Sequence, residues 1–398
     1  MMLKLLIKNV YYFMEVLLNS VILSGYGFFN NHKENTVIVG WYGTETIGDI
    51  AILAGVCDIV RKNNVPIYVV TLDEYTTEET KLNNFDLFSD VEFIPVCKAK
   101  IVMNKETSLV FGGGPIMTIH SILPIFSIWM ASFATGRERL ILGCGLGPFN
   151  DKYLKYYLSI LLKTSTKILL RDELSSEIAR MMVSKKKEVK TLVCPAVVYL
   201  ENFKYDHKPV SRVINLALRQ YPWSQYNHTV PKIQNLEIIK KFEKELKSFL
   251  NSELKDDEHI KIRPLPMCTN NYGGNDIMYM RELLLDFPDD RIDWSFCLKE
   301  LTLDAYVKAF SEGYLNLCMR YHSVVIANEL STPVIAIDYT EGRGKIYSYC
   351  KDYSFPSLKF SDVSADSLGK VKNMAFLQKN TEHKVDWGRE YRGLLNAK

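Results

Sequence analysis

Short apolar runs alternate with longer amphipathic stretches from residue 36 onward. The first unit joins an apolar run over 36–42 to a helix over 50–61 and a second apolar run over 66–72. Strands that are apolar on both faces are typical of parallel sheets, because helices cover both sides of such sheets. A strand–helix–strand unit of this length implies a parallel pair. The pattern therefore predicts an α/β fold.

The same alternation continues through both halves of the chain. In the first half we predict strands over residues 108–111, 167–172 and 191–195, and helices over 151–163 and 173–183. A further strand begins at residue 140 and runs into a glycine turn that ends at Pro148. In the second half we predict strands over residues 213–219, 259–264, 314–318 and 334–338, and helices over 236–254, 276–285, 302–311 and 324–330. A polar, aromatic stretch at 201–211 separates the two series and predicts a linker.

The chain has 398 residues, which exceeds the size of about 250–300 residues at which single cores stop growing. We therefore predict two Rossmann-like domains that face a cleft, over residues 1–205 and 206–370. A charged segment, 371–398, is expected to pack back on the N-terminal domain.

The N-terminal residues 1–30 are apolar, but Lys4, Lys8 and Glu15 interrupt them. They never provide the run of about 18 apolar residues that a membrane span needs. They also lack the small-residue cleavage site of a signal peptide. A helix packed on the domain core is one interpretation, and an amphipathic segment lying on a membrane surface is the other. We expect a cytoplasmic protein, at the inner face of the membrane under the second interpretation.

Charge and cysteine content exclude several classes of protein. The net charge of +3 and the lack of a basic stripe argue against nucleic-acid binding. The eight cysteines form no CxxC pair and mostly fall within apolar runs, which favours reduced thiols in a cytosolic protein. There is no HExxH motif and no cluster of metal-ligand residues, so we predict no metal.

A polar stretch at Met319–Ser323 follows one predicted strand and leads into a helix. In open α/β sheets ligands bind at this edge, and a helix N-terminus there offers N–H donors. A fixed cation at Arg320 and an imidazole at His322 suit a small anion. Arg219 ends another predicted strand, so it should emerge at the same edge. Two guanidinium groups suit a dianion, although each arginine alone is equally suited to a structural salt bridge.

Two glycine-rich turns end strands in the first half, at Gly112–Gly114 and Gly143–Gly147. Neither matches GxGxxG, and the chain has no P-loop, so no dinucleotide or P-loop site is predicted. A tight strand exit and a ligand-facing edge both remain open for these turns. Asp49 is either a helix N-terminal charge or a carboxylate that meets an acceptor hydroxyl. His120 follows the first turn and is a candidate for the same face.

Four motifs appear in a particular order along the chain. They are Gly43–Leu53; Phe111–Gly114; Gly145–Pro148 followed by Leu170–Ser175; and Met319–Ser323 followed by Thr332–Ala336. This order resembles the polysaccharide pyruvyl transferase family. The first motif resembles the family's Gly-Asn-x-Gly-Asp-Glu-Ala but is stretched and lacks the Asn. Ser323 stands where the family's Arg-x-His segment has Ala.

The resemblance implies a GT-B-like fold and transfer of pyruvate from phosphoenolpyruvate to a sugar diol, which forms a cyclic ketal on a surface glycan. It implies catalytic roles for Arg320 and His322. The phosphoenolpyruvate site would comprise Arg219, Arg320, Tyr321 and Lys345. The acceptor site would comprise Asp49, Gly113, Gly114 and His120. No cofactor is implied beyond phosphoenolpyruvate as donor, and the acceptor would be a lipid-linked or nucleotide-linked saccharide.

Two alternatives remain open at this point. One is a GT-B glycosyltransferase that uses a nucleotide sugar. The other is a non-catalytic scaffold in a glycan-assembly complex. The sequence identifies neither the acceptor sugar and its hydroxyls nor the oligomeric state.

Overall fold

The computed structural model describes most of the chain. The described residues are 33–43, 46–72, 80–116, 119–147, 149, 152–203, 212–222, 232–269, 274–298, 302–377 and 385–396, with six positions between 14 and 25. The chain forms two compact units. The first comprises residues 1–45, 49–199 and 385–398, and the second comprises residues 46–48 and 200–384. The main division thus lies at residue 199, where the sequence predicted residue 205.

The first unit contains a sheet in which all pairings between described strands are parallel. Its strands are β1 Asn35–Val39, β2 Ile67–Thr71, β3 Val91–Pro95, β4 Thr107–Gly112, β5 Pro115–Ile116, β6 Gly136–Leu146, β7 Lys167–Leu170 and β8 Lys190–Thr191. Their order is β3-β2-β1-β4-β6-β7-β8, and β5 pairs with β6. The helices are α1 Ile47–Val60, α2 Phe85–Phe88, α3 Ala99–Val102, α4 Ile119–Thr135, α5 Lys152–Thr164, α6 Glu173–Met182 and α7 Pro195–Leu200.

The core of the first unit includes a helix that the sequence pattern did not predict. Helix α4 buries Ile122, Phe126 and Trp129 beside α5, and the Trp129 Nε1–H donates to Thr164 Oγ1 at 2.9 Å. This helix is apolar on nearly all sides and contains Pro124, so it has no polar face to show a helical period. The strand predicted over 191–195 is also shorter than expected, because Pro195 begins α7.

The second unit contains a five-stranded sheet that is parallel throughout. Its strands are β9 Val213–Ala217, β10 Lys261–Pro264, β11 Leu315–Cys318, β12 Val334–Asp338 and β13 Ser357–Lys359, in the order β10-β9-β11-β12-β13. Its helices are α8 Lys232–Asp256, α9 Asp276–Leu283, α10 Ser295–Leu298, α11 Leu303–Glu312, α12 Tyr321–Glu329, α13 Lys345–Asp352 and α14 Ala365–Leu377. Short 3-10 turns cover Asp289–Arg291 and Phe360–Asp362 in this unit, and Val96–Lys98 in the first unit.

Two buried asparagines fix the register between neighbouring strands β9 and β11. Asn215 pairs with Asn316 in the ladder, and both side chains are fully buried. The Asn215 Nδ2–H donates to Asn316 Oδ1 at 2.8 Å, and the Asn316 Nδ2–H donates to Thr332 Oγ1 at 2.9 Å. A slipped register would leave these buried amides without partners, which is costly. Arg219 lies four residues after Asn215, and Arg320 lies four residues after Asn316. Both arginines therefore leave the sheet at the same level.

The C-terminal helix, α15 Trp387–Asn396, packs on the first unit. The Tyr391 hydroxyl donates to Val193 O at 2.5 Å, and the Lys167 ammonium donates to Leu394 O at 2.7 Å. The sequence assigned the whole segment 371–398 to this role. In the structure residues 371–377 instead end α14, which Lys372 joins to α8 of the second unit through Glu253 at 2.5 Å.

The described positions near the N-terminus are helical and apolar but not packed. Met14, Leu17, Leu18, Val21 and Ile22 are between 40% and 63% exposed. The interpretation of this segment as a helix packed on the core is therefore wrong for these residues. No helix within the described residues is long and apolar enough to cross a membrane.

Candidate active site at the strand ends of the second unit

Arg320 occupies the junction between β11 and α12. Its backbone is extended, with φ −94° and ψ 137°, and it precedes the first residue of the helix. The sequence predicted a polar turn through Ser323, whereas Tyr321, His322 and Ser323 form the first turn of α12. The Ser323 hydroxyl donates to Arg320 O at 2.6 Å. This bond closes the turn and fixes the direction in which the arginine leaves the strand.

A buried carboxylate holds the Arg320 guanidinium. Asp276, at the start of α9, is 1% exposed and lies 2.5 Å from Arg320 Nη2 through Oδ1, while Arg320 Nε–H donates to Oδ2 at 3.1 Å. The backbone N–H groups of Met267 and Cys268 donate to the same Oδ2 at 3.2 and 3.0 Å. Both oxygens of the Asp276 carboxylate therefore bind one edge of the Arg320 guanidinium, and this bidentate geometry fixes the plane of the guanidinium.

Burial and charge act in opposite directions on this pair. Burial raises the pKa of Asp276, and the charges of Arg320 and Arg219 work against that rise. Burial acts to lower the pKa of Arg320, but the Asp276 carboxylate outweighs it, so the pKa of Arg320 is raised. Arg320 is consequently a permanent cation with a fixed orientation. The sequence predicted Asp276 only as the start of a helix and missed this partnership.

Arg219 lies close to the same carboxylate. Its charge acts on Asp276, and its guanidinium carbon lies 5.3 Å from the centre of the Tyr339 ring. Tyr339 in turn interacts electrostatically with Arg320. Arg219, Arg320, Tyr339 and Asp276 thus form one cluster at the carboxyl ends of β9, β11 and β12. The sequence predicted the two arginines here and missed Tyr339.

His322 and its neighbours form the other part of this cluster. The imidazole is 9% exposed, and its ring centre lies 5.0 Å from that of Tyr321 at an angle of 80°. The Lys345 ammonium lies 5.5 Å from the Tyr321 ring centre, a cation–π distance. Tyr321 therefore connects the catalytic candidate His322 to a third cation. The structure brings all five predicted residues of the second unit to one sheet edge.

A tight loop carries Tyr339 and Lys345 to this edge. The Asp338 carboxylate accepts hydrogen bonds from the N–H and hydroxyl of Thr340, at 3.0 and 2.5 Å, and from the Gly342 N–H at 2.6 Å. Gly342 has φ 82°, in the left-handed region that glycine tolerates. The loop therefore reverses the chain within a few residues and delivers Lys345 as the first residue of α13.

Asp49 lies in the first unit. It belongs to the first turn of α1 and is 7% exposed. Burial, the buried thiols nearby and the Asp49 charge together raise the pKa of Tyr42, whose hydroxyl donates to Gly112 O at 2.5 Å. This burial fits a structural charge at a helix N-terminus, while its predicted acceptor role stays a prediction.

The remaining candidates of the first unit follow β4. Gly113 and Gly114 have φ values of 68° and 75°. A Cβ atom on Gly113 would overlap the Ile52 side chain of α1, so that glycine has a packing role. A Cβ atom on Gly114 would approach Trp41 Cβ no closer than 3.5 Å. His120 is the second residue of α4, and its side chain lies outside the described residues.

The central motif of the first unit contains an ion pair between neighbouring residues. Arg171 Nε lies 3.2 Å from Asp172 Oδ2, and Asp172 Oδ1 accepts the Ser175 N–H at 2.7 Å as the N-cap of α6. In the part of the chain that the structure describes, no group of three metal-ligand side chains has the arrangement to hold a metal ion.

Two parallel α/β units, with a cluster of cationic side chains at the strand ends of the second, define the class of the protein as a two-domain, Rossmann-like GT-B fold. Solved structures share this fold. The UDP-N-acetylglucosamine 2-epimerase of Methanocaldococcus jannaschii, in complex with UDP-GlcNAc and UDP, superposes with a TM-score of 0.57 at 12% identity, covering 91% of this chain and 99% of that one. A Listeria monocytogenes protein assigned as a UDP-N-acetylglucosamine 2-epimerase gives 0.55 at 12% identity, covering 90% and 94%.

The sequence profile of the polysaccharide pyruvyl transferases matches residues 47–341, most of the chain. The protein therefore belongs to the polysaccharide pyruvyl transferase family, a family of transferases, and the resemblance seen in its motifs is confirmed. The match includes every predicted site residue except Lys345. A search of curated proteins found no match.

Proposed function

We propose that this protein transfers pyruvate from phosphoenolpyruvate to two hydroxyl groups of a saccharide and so forms a pyruvate ketal during surface-polysaccharide assembly. One observation carries the proposal. Arg219 and Arg320 lie at the same level at the ends of the neighbouring strands β9 and β11, and His322 follows Arg320 by two residues. Family membership supports the same class of reaction.

The cationic cluster suits the proposed donor. Phosphoenolpyruvate carries a carboxylate and a phosphate on three carbons, and guanidinium groups bind both anions in a bidentate manner. Arg219 and Arg320 bind one anion each in our proposal, and Lys345 adds a third positive charge. Asp276 offsets part of the positive charge at the site, so the arginines are oriented before the donor arrives. Such prearranged charges stabilise the departing phosphate without reorganisation in the transition state.

His322 carries the protons in this proposal. The imidazole donates a proton to C3 of phosphoenolpyruvate while C2 gains oxocarbenium character. The first sugar hydroxyl attacks C2 and returns a proton to the imidazole. The C2–O bond to phosphate then breaks, and the second hydroxyl attacks C2 and closes the ketal. One hydroxyl proton thus balances the one on C3, and the other leaves with the phosphate. These steps use only side chains of the protein and no cofactor.

The acceptor is a saccharide linked to a lipid or to a nucleotide in our proposal. Asp49 is the carboxylate proposed to meet an acceptor hydroxyl, and Gly114 offers its backbone beside Trp41, whose Cβ would lie 3.5 Å from a Cβ atom added at Gly114. Gly113 is proposed to shape the same edge through its left-handed backbone, and His120 completes the set. The assignments of Asp49, Gly113 and Gly114 follow the family motifs, and that of His120 follows its place after the first glycine turn.

Incubation of the purified protein with phosphoenolpyruvate and a panel of lipid-linked and nucleotide-linked glycans tests the proposal. We expect phosphate release that depends on the acceptor, together with the mass gain of a pyruvate ketal on the glycan. Phosphoenolpyruvate should also raise the melting temperature more than UDP does. The reverse preference, with sugar transfer from a nucleotide sugar, would establish a glycosyltransferase instead. Full function in cells after Arg320→Ala and His322→Ala would establish a non-catalytic scaffold.

A further inference from the structure

Gly48 lies directly against the His322 imidazole. A Cβ atom added to Gly48 would come within 2.5 Å of His322 Cγ and would overlap Nδ1. Real Cβ atoms do not approach other heavy atoms this closely. The His322 side chain therefore occupies the space that a side chain at position 48 would need.

Backbone conformation does not explain a glycine at this position. Gly48 is absent from the described residues with positive φ, and it lies in the first turn of α1. Alanine is the better residue in such a helical conformation, because glycine loses more backbone freedom on folding. The close approach of His322 is the feature that requires glycine here.

The segment that carries Gly48 is anchored beside the Arg320 partner. Residues 46–48 group with the second unit. The Ile47 N–H donates to Met267 O at 3.0 Å, and Thr46 forms an antiparallel bridge with Cys268. The N–H groups of the same two residues, Met267 and Cys268, bind the Asp276 carboxylate. One short stretch of backbone therefore supports both the partner of Arg320 and the segment that touches His322.

We propose that Gly48 is a positioning residue for His322, and that the Thr46–Gly48 segment sets the orientation in which the imidazole exchanges protons with the donor. The proposal rests on the proposed pyruvyl transfer. It gives Gly48 and Asp49, the Gly-Asp pair of the first family motif, separate roles. Gly48 serves the proton-transfer residue of the second unit, whatever role Asp49 has.

Gly48→Ala tests this proposal, with Gly369→Ala as the matched control. Gly369 is also a helical glycine of the second unit, and nothing lies within 4 Å of a Cβ atom added to it. We expect Gly48→Ala to lower kcat by about 100-fold, since displacement of a catalytic group by about 1 Å has this effect. We expect unchanged phosphoenolpyruvate affinity, because Arg219 and Arg320 are untouched, and an altered pH dependence of kcat. Gly369→Ala should retain wild-type kcat, affinity and pH dependence.

Ile47→Pro is a second variant in case Gly48→Ala fails to fold. Proline is tolerated at the first position of a helix, and this change removes the N–H that binds Met267 O together with the half-buried Ile47 side chain. We expect a smaller loss of kcat with phosphoenolpyruvate affinity retained. Wild-type kcat and pH dependence in folded Gly48→Ala, or in Ile47→Pro where the first variant does not fold, would overturn the proposal. An inactive wild-type protein would instead refute the proposed function itself.

Discussion

Substitution of the buried pair Asn215 and Asn316 tests whether their hydrogen bond between β9 and β11 holds Arg219 and Arg320 at the same level of the sheet. Asn316→Ala removes the acceptor of the Asn215 Nδ2–H and the donor to Thr332 Oγ1, at 2.8 and 2.9 Å. The Asn215 side chain keeps its bond to Ala309 O at 2.8 Å. The substitution therefore removes the contacts that cross from β9 to β11 and from β11 towards the start of β12. It also removes the longer bonds from Asn316 Nδ2 to Phe310 O and Pro333 O, both at 3.3 Å.

The expected cost follows from these contacts. Each neutral hydrogen bond contributes about 1 kcal/mol, and the cavity left by the amide in a fully buried position adds about 1 kcal/mol. We therefore expect Asn316→Ala to lower the free energy of unfolding by about 3 kcal/mol. For a unit of this size that loss corresponds to a melting temperature lower by about 6–12 °C. Asn373→Ala, on the exposed face of α14, is the control and should change stability by less than about 0.5 kcal/mol.

Thermal unfolding of Asn215→Ala, Asn316→Ala and the double variant measures the coupling between the two side chains. We expect a coupling of about 1 kcal/mol, because the residues share a hydrogen bond. Phosphoenolpyruvate affinity should fall in both single variants at 25 °C, where the protein remains folded, since Arg219 and Arg320 lose their common level. Additive effects of the two substitutions, or unchanged affinity in both single variants, would show that the asparagine pair does not position the two arginines.

Three further predictions concern other parts of the molecule. Asp276→Asn should raise the KM for phosphoenolpyruvate by about 10-fold, because Arg320 loses a charged hydrogen-bond partner worth about 1.5–3 kcal/mol. The control Asp286→Asn removes the exposed ion pair with Lys247 and should leave the KM unchanged. Equal KM values in the two variants would contradict the role of Asp276. Burial raises the pKa of the Cys57 and Cys144 thiols to about 12, above the value of 9.0 for a free thiol, so the stability that this shift contributes is fully present below about pH 8 and is lost as the pH rises towards 12. Between pH 9 and pH 10, urea unfolding should show a loss of about 1 kcal/mol per thiol in the free energy of unfolding. Cys57→Ala should make that decline shallower, and an identical slope would disprove this origin. Deletion of residues 1–32 should abolish co-sedimentation with anionic liposomes, because Met14, Leu17, Leu18, Val21 and Ile22 expose an apolar stripe; equal sedimentation of both chains would argue against membrane contact.

The sequence predicts the strand ends of the second unit well because its signals there are local. A short apolar run followed by Arg320 and His322 indicates where a parallel strand meets a helix, and the same logic applies to Arg219. These three residues lie at one sheet edge in the structure. The stretch with Arg320 and His322 is also one of the four motifs that carry the family resemblance, which the profile match confirms.

Other parts of the site depend on contacts between distant residues. Asp276 lies 44 positions from Arg320, and nothing in its own surroundings distinguishes it from an ordinary acidic residue at a helix start. The contact between Gly48 and His322 spans a still greater separation. Helix α4 was missed for a different reason, since a helix buried on nearly every side has no amphipathic period. Hydrophobic periodicity thus predicts helices and strands that have one exposed face, whereas contacts between residues far apart in the sequence are seen only in the structure.

Phosphoenolpyruvate binding and phosphate release, measured side by side in Arg219→Ala, Arg320→Ala and His322→Ala, separate donor binding from proton transfer at the proposed site. We expect each arginine variant to bind phosphoenolpyruvate about 10- to 100-fold more weakly. We expect His322→Ala to bind the donor like the wild type but to release phosphate at least about 100-fold more slowly. Wild-type affinity in both arginine variants, or wild-type turnover in His322→Ala, would contradict pyruvyl transfer at this site.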